Sequence, residues 1–220
     1  MKISLEPVNI KAFDLPDAWF QALWKIVMHG KNYKIDRGSF EGHYRKEFDF
    51  VTIHITNPES RPIIPDIPPG LSMAPPTSMN YVEDYFVNYL MSPELQQDEQ
   101  YTYGNRIATS VNKVIDMLKK GHGTNQAIME IARPEDIELS DPPCLRLIDC
   151  RISSNKLHFV VYFRSWDLWG GFSANLAGIQ LLKEYMAGEI GVEPGDTIAM
   201  SKGLHLYDYA WEFAKQRVYK

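Results

Sequence analysis

Two cysteines, Cys144 and Cys150, are the side chains of this sequence best suited to nucleophilic chemistry, and both lie in the segment DPPCLRLIDCRI. The segment has the composition of a β-strand, along which residues six apart share a face at a separation of about 20 Å. That separation is too long for a disulfide or a shared metal site, and neither cysteine has the CxxC spacing typical of zinc ligands. Each cysteine is therefore either a buried packing residue or a nucleophile.

Position in the segment separates the two cysteines. Cys144 follows two prolines and begins the predicted strand, whereas Cys150 lies in its middle and is expected to pack in the core. A nucleophilic cysteine needs a nearby cation, because the thiolate is the reactive form. A hairpin that turns at Ser154–Asn155 would bring Arg164, at the end of the second strand, back beside Cys144.

The elements that must position these residues mix helices and strands, which favours an α+β fold with at least one antiparallel hairpin. A proline-rich loop holds seven of the 14 prolines between Pro58 and Pro76, and its apolar residues are expected to pack on the body. The patterns predict helices over 14–30, 80–91, 107–121 and 174–191, strands over 48–56, 127–132, 144–152 and 156–163, and a strand followed by a final helix over 196–213.

The bulk composition is that of a globular protein, and we expect one domain over residues 1–220. Hydrophobic residues make up 45% of the chain and charged residues 23%. A net charge of −5 argues against nucleic acid or an anionic membrane as partner. The N-terminal residues do not resemble a signal peptide, no segment has the length of a transmembrane helix, and the expected location is the cytoplasm.

Three motifs together resemble the thymidylate synthase family, in a short, divergent, archaeal-type form. A proline–cysteine pair is followed after twenty residues by an Arg-Ser-x-Asp-x-x-x-Gly-x-x-x-Asn run and then by His-x-Tyr. A Tyr-Gly element upstream, in YGNRI, is also similar, whereas the first hundred residues match poorly. The motif residues are Pro143–Cys144; Arg164, Ser165, Asp167, Gly171 and Asn175; and His205 and Tyr207.

The resemblance implies a methyltransferase that converts dUMP to dTMP. A cysteine thiolate would add to carbon 6 of uracil, so that carbon 5 can attack a one-carbon donor, and no metal would be needed. The donor would be 5,10-methylene-tetrahydrofolate or a related methylene-tetrahydropterin. The family also implies a mixed β-sheet flanked by helices and a homodimer formed through a sheet face.

The resemblance assigns a role to each motif residue. Taken singly, each also has an ordinary structural reading, such as a helix cap for Asp167 and Asn175 or a packed strand face for His205 and Tyr207. The implied catalytic residues are Cys144 as nucleophile, Tyr103 for removal of the carbon 5 proton, and Glu83, with its neighbour Asp84 as the competitor, as the acid–base group. The implied ligands are Arg164, Ser165 and Arg37 for phosphate, Asn175 for the pyrimidine edge, His205 and Tyr207 for the sugar hydroxyl, and Asp167 with Gly171 for the pterin.

The sequence also departs from the family pattern. Two arginines that usually reach the partner's phosphate are replaced in the segment Thr124, Asn125 and Gln126, and Leu145 replaces a histidine after the cysteine. The family's C-terminal tail is expected to be absent or replaced. Two other functions therefore stay open: a nucleotide hydroxymethylase of the same fold, and a nucleotide-binding module without catalysis.

Overall fold

The computed structural model describes residues 5–38, 40–71, 73–95 and 99–219, which form two β-sheets surrounded by helices. Ser39, in the segment that follows Arg37, and Ser72 of the proline-rich loop lie outside the described residues. The strands are β1 (Pro7–Ala12), β2 (Lys31–Lys34), β3 (Tyr44–Glu47), β4 (Phe50–Ile55), β5 (Ile128–Glu130), β6 (Leu145–Ser153), β7 (Lys156–Phe163), β8 (Trp166–Asp167), β9 (Glu193–Ser201) and β10 (Leu204–Tyr207). The α-helices are α1 (Leu15–His29), α2 (Met79–Asp84), α3 (Tyr103–Lys120), α4 (Phe172–Ile190) and α5 (Trp211–Tyr219); a π-helical segment spans Tyr85–Met91, and 3₁₀ turns span Pro134–Glu138 and Asp208–Ala210.

The larger sheet has six strands in the order β1-β4-β9-β7-β6-β5. It is mixed, because β1 with β4 and β7 with β9 are parallel and the other neighbours are antiparallel. Helices α1, α3 and α4 pack against it, and α4 is buried on nearly all sides, as its apolar sequence predicts. The smaller sheet has the order β2-β3-β10-β8. The α+β prediction is confirmed.

Helix α1 shows how local sequence sets the element boundaries. The Asp14 side chain accepts a hydrogen bond from the Asp17 N–H at 2.8 Å, Pro16 lies in the first turn, and the Gly30 N–H donates to the Ile26 carbonyl. Its buried face includes Trp19, which has no exposed surface. These are the caps and the apolar face that the sequence predicts.

The hairpin of β6 and β7 is also confirmed. Ser154 and Asn155 have φ values of 52° and 57°, the left-handed pair that a two-residue turn needs. The regular alternation expected along β6 is wrong at its beginning, because a bulge lies between Leu145 and Leu147. As a result Leu145, and not Cys144, joins Cys150 in the core.

Two other features differ from the predictions. The helix predicted over 80–91 is α2 followed by the π-helical segment, and strands β1, β2 and β3 were not predicted. The sequences of β2 and β3, KNYK and YRKE, have no apolar alternation: β2 is largely exposed and β3 is half-buried. Pairing holds them in the sheet, because β3 pairs with β10 and β2 pairs with β3. The proline-rich loop packs on the body as expected, with Ile63 only 1% exposed. None of the described helices combines the length and apolar composition needed to cross a membrane.

Candidate active site

A cavity of about 500 Å³ opens where the ends of the two sheets meet, and it is large enough to hold a nucleotide. Four segments line it: the loop and strand around 35–45, the segment 137–144, residues 164–167 after β7, and β10. Of the residues predicted for the site, Cys144, Arg164, Ser165, Asp167, His205, Tyr207 and Arg37 line this cavity. These residues are as far apart in sequence as 37 and 207, and the fold brings them to one place.

The half-buried Cys144 lies beside Arg164, as the hairpin predicts. The Arg164 N–H donates to the Cys144 carbonyl at 2.8 Å. Burial raises the pKa of the Cys144 thiol, and the Arg164 guanidinium opposes that rise as the largest lowering influence on this pKa. Arg164 therefore lowers the pKa of Cys144, as predicted, but burial raises this pKa by more than Arg164 lowers it.

The Arg164 side chain organises the segment that precedes Cys144. Its Nε donates to the Pro143 carbonyl at 3.2 Å, and a terminal nitrogen contacts the Pro142 carbonyl and Asp141. This side chain is 30% exposed and still faces the cavity. It can therefore bind an anion in the cavity while it holds the loop that carries the thiol.

The strand register places His205 in a row of charged groups across the smaller sheet. His205 lies opposite Glu47 on one side and opposite Asp167 on the other. Its Nδ1 is 2.8 Å from the Gly203 carbonyl, which can only accept, so Nδ1 carries the proton. Burial lowers the pKa of His205. The neutral ring thus presents Nε2 as an acceptor, and this atom has no partner among the described residues.

Arg45 lines the same cavity and was missed by the sequence analysis. It lies directly opposite Tyr207 in the β3–β10 pair, and its Nε is 2.6 Å from a Glu47 carboxylate oxygen. Burial raises the pKa of Glu47, and Arg45 opposes that rise. Among the described residues neither the Arg45 Nε nor this Glu47 oxygen makes a hydrogen bond of good geometry, so the pair is held by charge. The unpredicted strand β3 explains the omission, since no pattern places Arg45 beside the motif residues.

The loop with Arg37 closes one side of the cavity. Phe40 of this loop stacks on Tyr207 with ring centroids 4.2 Å apart and an angle of 24° between the planes. Gly38 has a φ of 104°, a conformation that favours glycine, so the DRG sequence suits this turn. The loop thereby presents the exposed Arg37 side chain to the cavity.

Tyr103 and Asn175 are not part of the cavity lining, but each contacts a residue next to a lining residue in the chain. The Tyr103 hydroxyl accepts a hydrogen bond from the Leu145 N–H at 3.2 Å, next to Cys144 in the chain. Burial raises the pKa of Tyr103 well above its ordinary value, and Tyr85 and Cys144 add to the rise. Asn175 is in the first turn of α4, with its amide bonded to Trp166 and Tyr85.

Glu83 and Gly171 also lie outside the cavity lining. Glu83 is exposed on α2 and does not line the cavity, so its acid–base role stays a prediction. Gly171 precedes α4, and its N–H donates to the Asp167 carbonyl at 3.1 Å. A Cβ at Gly171 would lie 3.2 Å from the Asn175 side-chain oxygen, so glycine leaves room for that amide.

Asp167 lines the main cavity, and Gly170, which is close to the Asp167 carboxylate, lines a second one. Its carboxylate accepts from the Trp169 N–H at 2.9 Å and from the Tyr209 hydroxyl at 3.3 Å. A neighbouring hollow of about 390 Å³ is lined by Pro75, Pro76, Thr77, Ser78, Tyr81 and Gly170. Among the described residues no three His, Cys, Asp or Glu side chains are grouped as metal ligands would be.

Comparison with known proteins agrees with this geometry. The family model for thymidylate synthase matches residues 92–220. A protein of Methanosarcina acetivorans named "Putative thymidylate synthase" is 33% identical over 95% of this chain and 94% of its own length. Proteins with the same name from Methanococcoides burtonii and Methanocaldococcus jannaschii are 31% and 28% identical, over 92% and 94% of this chain and 91% and 94% of their own lengths.

The similarity to these relatives covers 92–95% of the chain, and so it includes most of the first hundred residues, where the sequence motifs gave little signal. The family model covers Cys144, the Arg-Ser-x-Asp run and His205. This chain belongs to the thymidylate synthase family, in its divergent archaeal-type branch.

Proposed function

We propose that this protein catalyses the reductive methylation of dUMP to dTMP. The observation that carries the proposal is that Cys144, Arg164, Ser165, Asp167, His205 and Tyr207 line one cavity with Arg37. A thiol beside a guanidinium suits addition to an electron-poor ring carbon, and the other groups suit a phosphate and a sugar hydroxyl.

In the proposed reaction the Cys144 thiolate adds to carbon 6 of uracil, which makes carbon 5 an enolate carbon able to attack the one-carbon unit. Arg164 stabilises the thiolate, since it already opposes the effect of burial on this pKa. The neutral His205 accepts a hydrogen bond from the sugar hydroxyl through Nε2. Tyr103, whose hydroxyl is fixed by the Leu145 N–H, assists removal of the carbon 5 proton.

The residues around Asp167 also fit a pterin cosubstrate. The pyrimidinone ring of a pterin presents adjacent N–H and amino groups, and a carboxylate accepts from both. Asp167 would bind this edge of the pterin. Gly170 and Gly171 have no side chains, which leaves room beside Asp167. The pterin supplies the one-carbon unit and, for methylation, the hydride.

One incubation tests the function. The protein is mixed with dUMP and either methylene-tetrahydrofolate or another methylene-tetrahydropterin, and the pyrimidine product is identified by mass spectrometry. We expect dTMP. A hydroxymethyl product would instead identify the hydroxymethylase, and binding without any product would identify a nucleotide-binding module.

We also propose that Arg45 joins Arg37 and Arg164 in binding the substrate phosphate. The family's two partner-subunit arginines are missing here, where the chain has Asn125 and Gln126. The terminal nitrogens of Arg45 are able to donate into the cavity, and a guanidinium pairs well with two phosphate oxygens. The chain would thus supply from its own β3 a charge that other members take from the partner.

The phosphate contacts predict a ligand-dependent loss of binding. Arg164→Ala and Arg45→Ala should each weaken dUMP binding by roughly 1.5–3 kcal/mol, the range for hydrogen bonds to charged groups. Neither change should weaken deoxyuridine binding as much, because the nucleoside has no phosphate. Titration calorimetry with both ligands measures the difference, and Lys120→Ala removes an exposed positive charge on α3 as the control. Equal losses for dUMP and deoxyuridine would mean that the arginine is structural.

A homodimer through the face of the larger sheet is proposed as well. Helices cover one face, and the other face of β7 and β9 carries half-buried Val160, Tyr162, Ile198 and Met200. An apolar sheet face of this kind is suited to pairing with a second copy.

Sedimentation should therefore show a dimer at micromolar concentration. Ile198→Lys should shift the protein to monomer, because it places a charge at the centre of this face. Leu5→Lys, at a residue that is 79% exposed, is the control that should leave the dimer intact. A monomeric unaltered protein would contradict the proposal.

A further inference from the structure

The side-chain amide of Asn175 is held in one orientation by its two neighbours. Its Oδ1 accepts a hydrogen bond from the Trp166 indole N–H at 3.1 Å, and its Nδ2 donates to the Tyr85 hydroxyl at 3.0 Å. The nitrogen and oxygen of an amide are assigned from such contacts, and an indole N–H can only donate. Trp166 therefore requires that the oxygen of Asn175, and not the nitrogen, faces it.

The two neighbours are not equivalent. A tyrosine hydroxyl can donate or accept, so Tyr85 would bond to the amide in either orientation. Trp166 offers only a donor, and a flipped amide would leave two donors facing each other at a tryptophan that is 2% exposed. Trp166 is thus the residue that selects the orientation, and Tyr85 follows it.

Packing fixes Trp166 itself. Its ring lies between Phe163, at 4.1 Å and 5° between planes, and Phe172, at 4.4 Å and 27°. Its backbone N–H donates to the Gly203 carbonyl at 3.0 Å. The Tyr85 ring is likewise close against α4, where a Cβ at Gly178 would lie 2.6 Å from it. The indole N–H therefore cannot turn away from Asn175.

We propose that Trp166 is a positioning residue that sets the choice of uracil over cytosine by locking the Asn175 amide. This inference rests on the proposed function and on the role that the family resemblance assigns to Asn175, which is to bind the pyrimidine edge. With one hydrogen-bond position on each side of the amide occupied, one N–H of Nδ2 and one lone pair of Oδ1 are left for the base. These match the carbonyl at position 4 and the N–H at position 3 of uracil. Cytosine reverses both groups and would need the flipped amide.

Trp166→Phe tests the lock, because it keeps an aromatic ring in the stack and removes the N–H. We expect the ratio of dUMP to dCMP affinity, measured by calorimetry without a pterin, to fall by a factor of roughly 5–30, the effect of one unpartnered buried donor. Tyr85→Phe is the matched control on the same amide. It removes one partner from either orientation, so the ratio should stay within about twofold of the unaltered protein.

A second comparison separates the lock from a general disturbance of packing. In an Asn175→Asp protein the two carboxylate oxygens are equivalent acceptors, so adding Trp166→Phe should leave the base ratio unchanged within about twofold. If Trp166→Phe does not fold, a benzothienyl-alanine at position 166 keeps the shape of indole and removes only the donor.

The outcomes distinguish the two proposals. An unaltered ratio in folded Trp166→Phe, or an equal shift in Tyr85→Phe, would overturn the lock while the function stands. If the unaltered protein binds neither dUMP nor dCMP, the function and the lock both fail.

Discussion

Replacing Cys144 by serine should lower dUMP turnover by about four orders of magnitude or more, as removal of the nucleophile does in other covalent enzymes. A serine hydroxyl in this position stays protonated at neutral pH and adds poorly to carbon 6. The thiol is the group that lines the cavity beside Arg164. Trapping by 5-fluoro-dUMP, which requires the covalent adduct, should be lost together with turnover.

Cys150→Ser is the matched control for this change. Cys150 is 2% exposed in the core, and burial raises its pKa far above the ordinary range, so it has little thiolate. We expect this variant to keep turnover and trapping, with a lower melting temperature because a buried hydroxyl replaces a well-packed sulfur. If Cys150→Ser instead loses the adduct and Cys144→Ser keeps it, the assignment is wrong.

Ionisation of Cys144 gives a second measurement on the same atom. Burial holds the pKa of Cys144 above its ordinary value, and Arg164 limits the rise. The thiolate fraction of the free protein, and with it the rate of alkylation by iodoacetamide, should increase with pH up to that raised pKa. Arg164→Ala should slow alkylation at neutral pH, since the pKa rises further when the cation is removed. A faster reaction in Arg164→Ala would show that Arg164 shields the thiol instead of promoting its ionisation.

The parts of the site that the sequence predicts are those set by local rules. A polar two-residue turn sets the register of β6 and β7 and brings Arg164 close to Cys144, and the bulge between Leu145 and Leu147 shifts the pairing by one residue so that the Arg164 backbone N–H donates to the Cys144 carbonyl. The His-x-Tyr motif on β10 alternates along a strand, so both side chains reach the same face. Such relations extend over a few residues and depend on backbone geometry that the sequence determines directly.

The parts that the sequence does not predict depend on contacts between distant segments. Arg45 reaches the cavity because β3 pairs with β10, although its own sequence has no strand pattern. Tyr85 meets Asn175 across ninety residues, through a π-helical turn and the close approach at Gly178. Glu83, which the resemblance assigns as the acid–base residue, lies just before this π-helical segment and is exposed. Tyr85, two residues later, is the residue of this segment that contacts Asn175.

The choice of base should change most when Asn175 becomes aspartate. An ionised aspartate only accepts hydrogen bonds, and both neighbours can satisfy it here, since the Trp166 N–H and the Tyr85 hydroxyl can each donate. The substitution is therefore isosteric and keeps its local contacts. The aspartate lacks the N–H that donates to the position 4 oxygen of uracil. In its place it has an oxygen that can accept from the amino group of cytosine.

We therefore expect the unaltered protein to prefer dUMP and Asn175→Asp to shift the preference toward dCMP by at least about tenfold, because an unpaired buried polar group costs ~1–3 kcal/mol. The measurement is the ratio of kcat/KM for dUMP and dCMP in both proteins. Asn155→Asp makes the same chemical change at the exposed hairpin turn and should leave the ratio as it is. If the unaltered protein prefers dCMP, or if Asn175→Asp leaves the ratio where it was, Asn175 does not read the base. The proposed role of Trp166 would then also fail, because it requires that Asn175 binds the base. The Cys144 adduct would still be testable by itself.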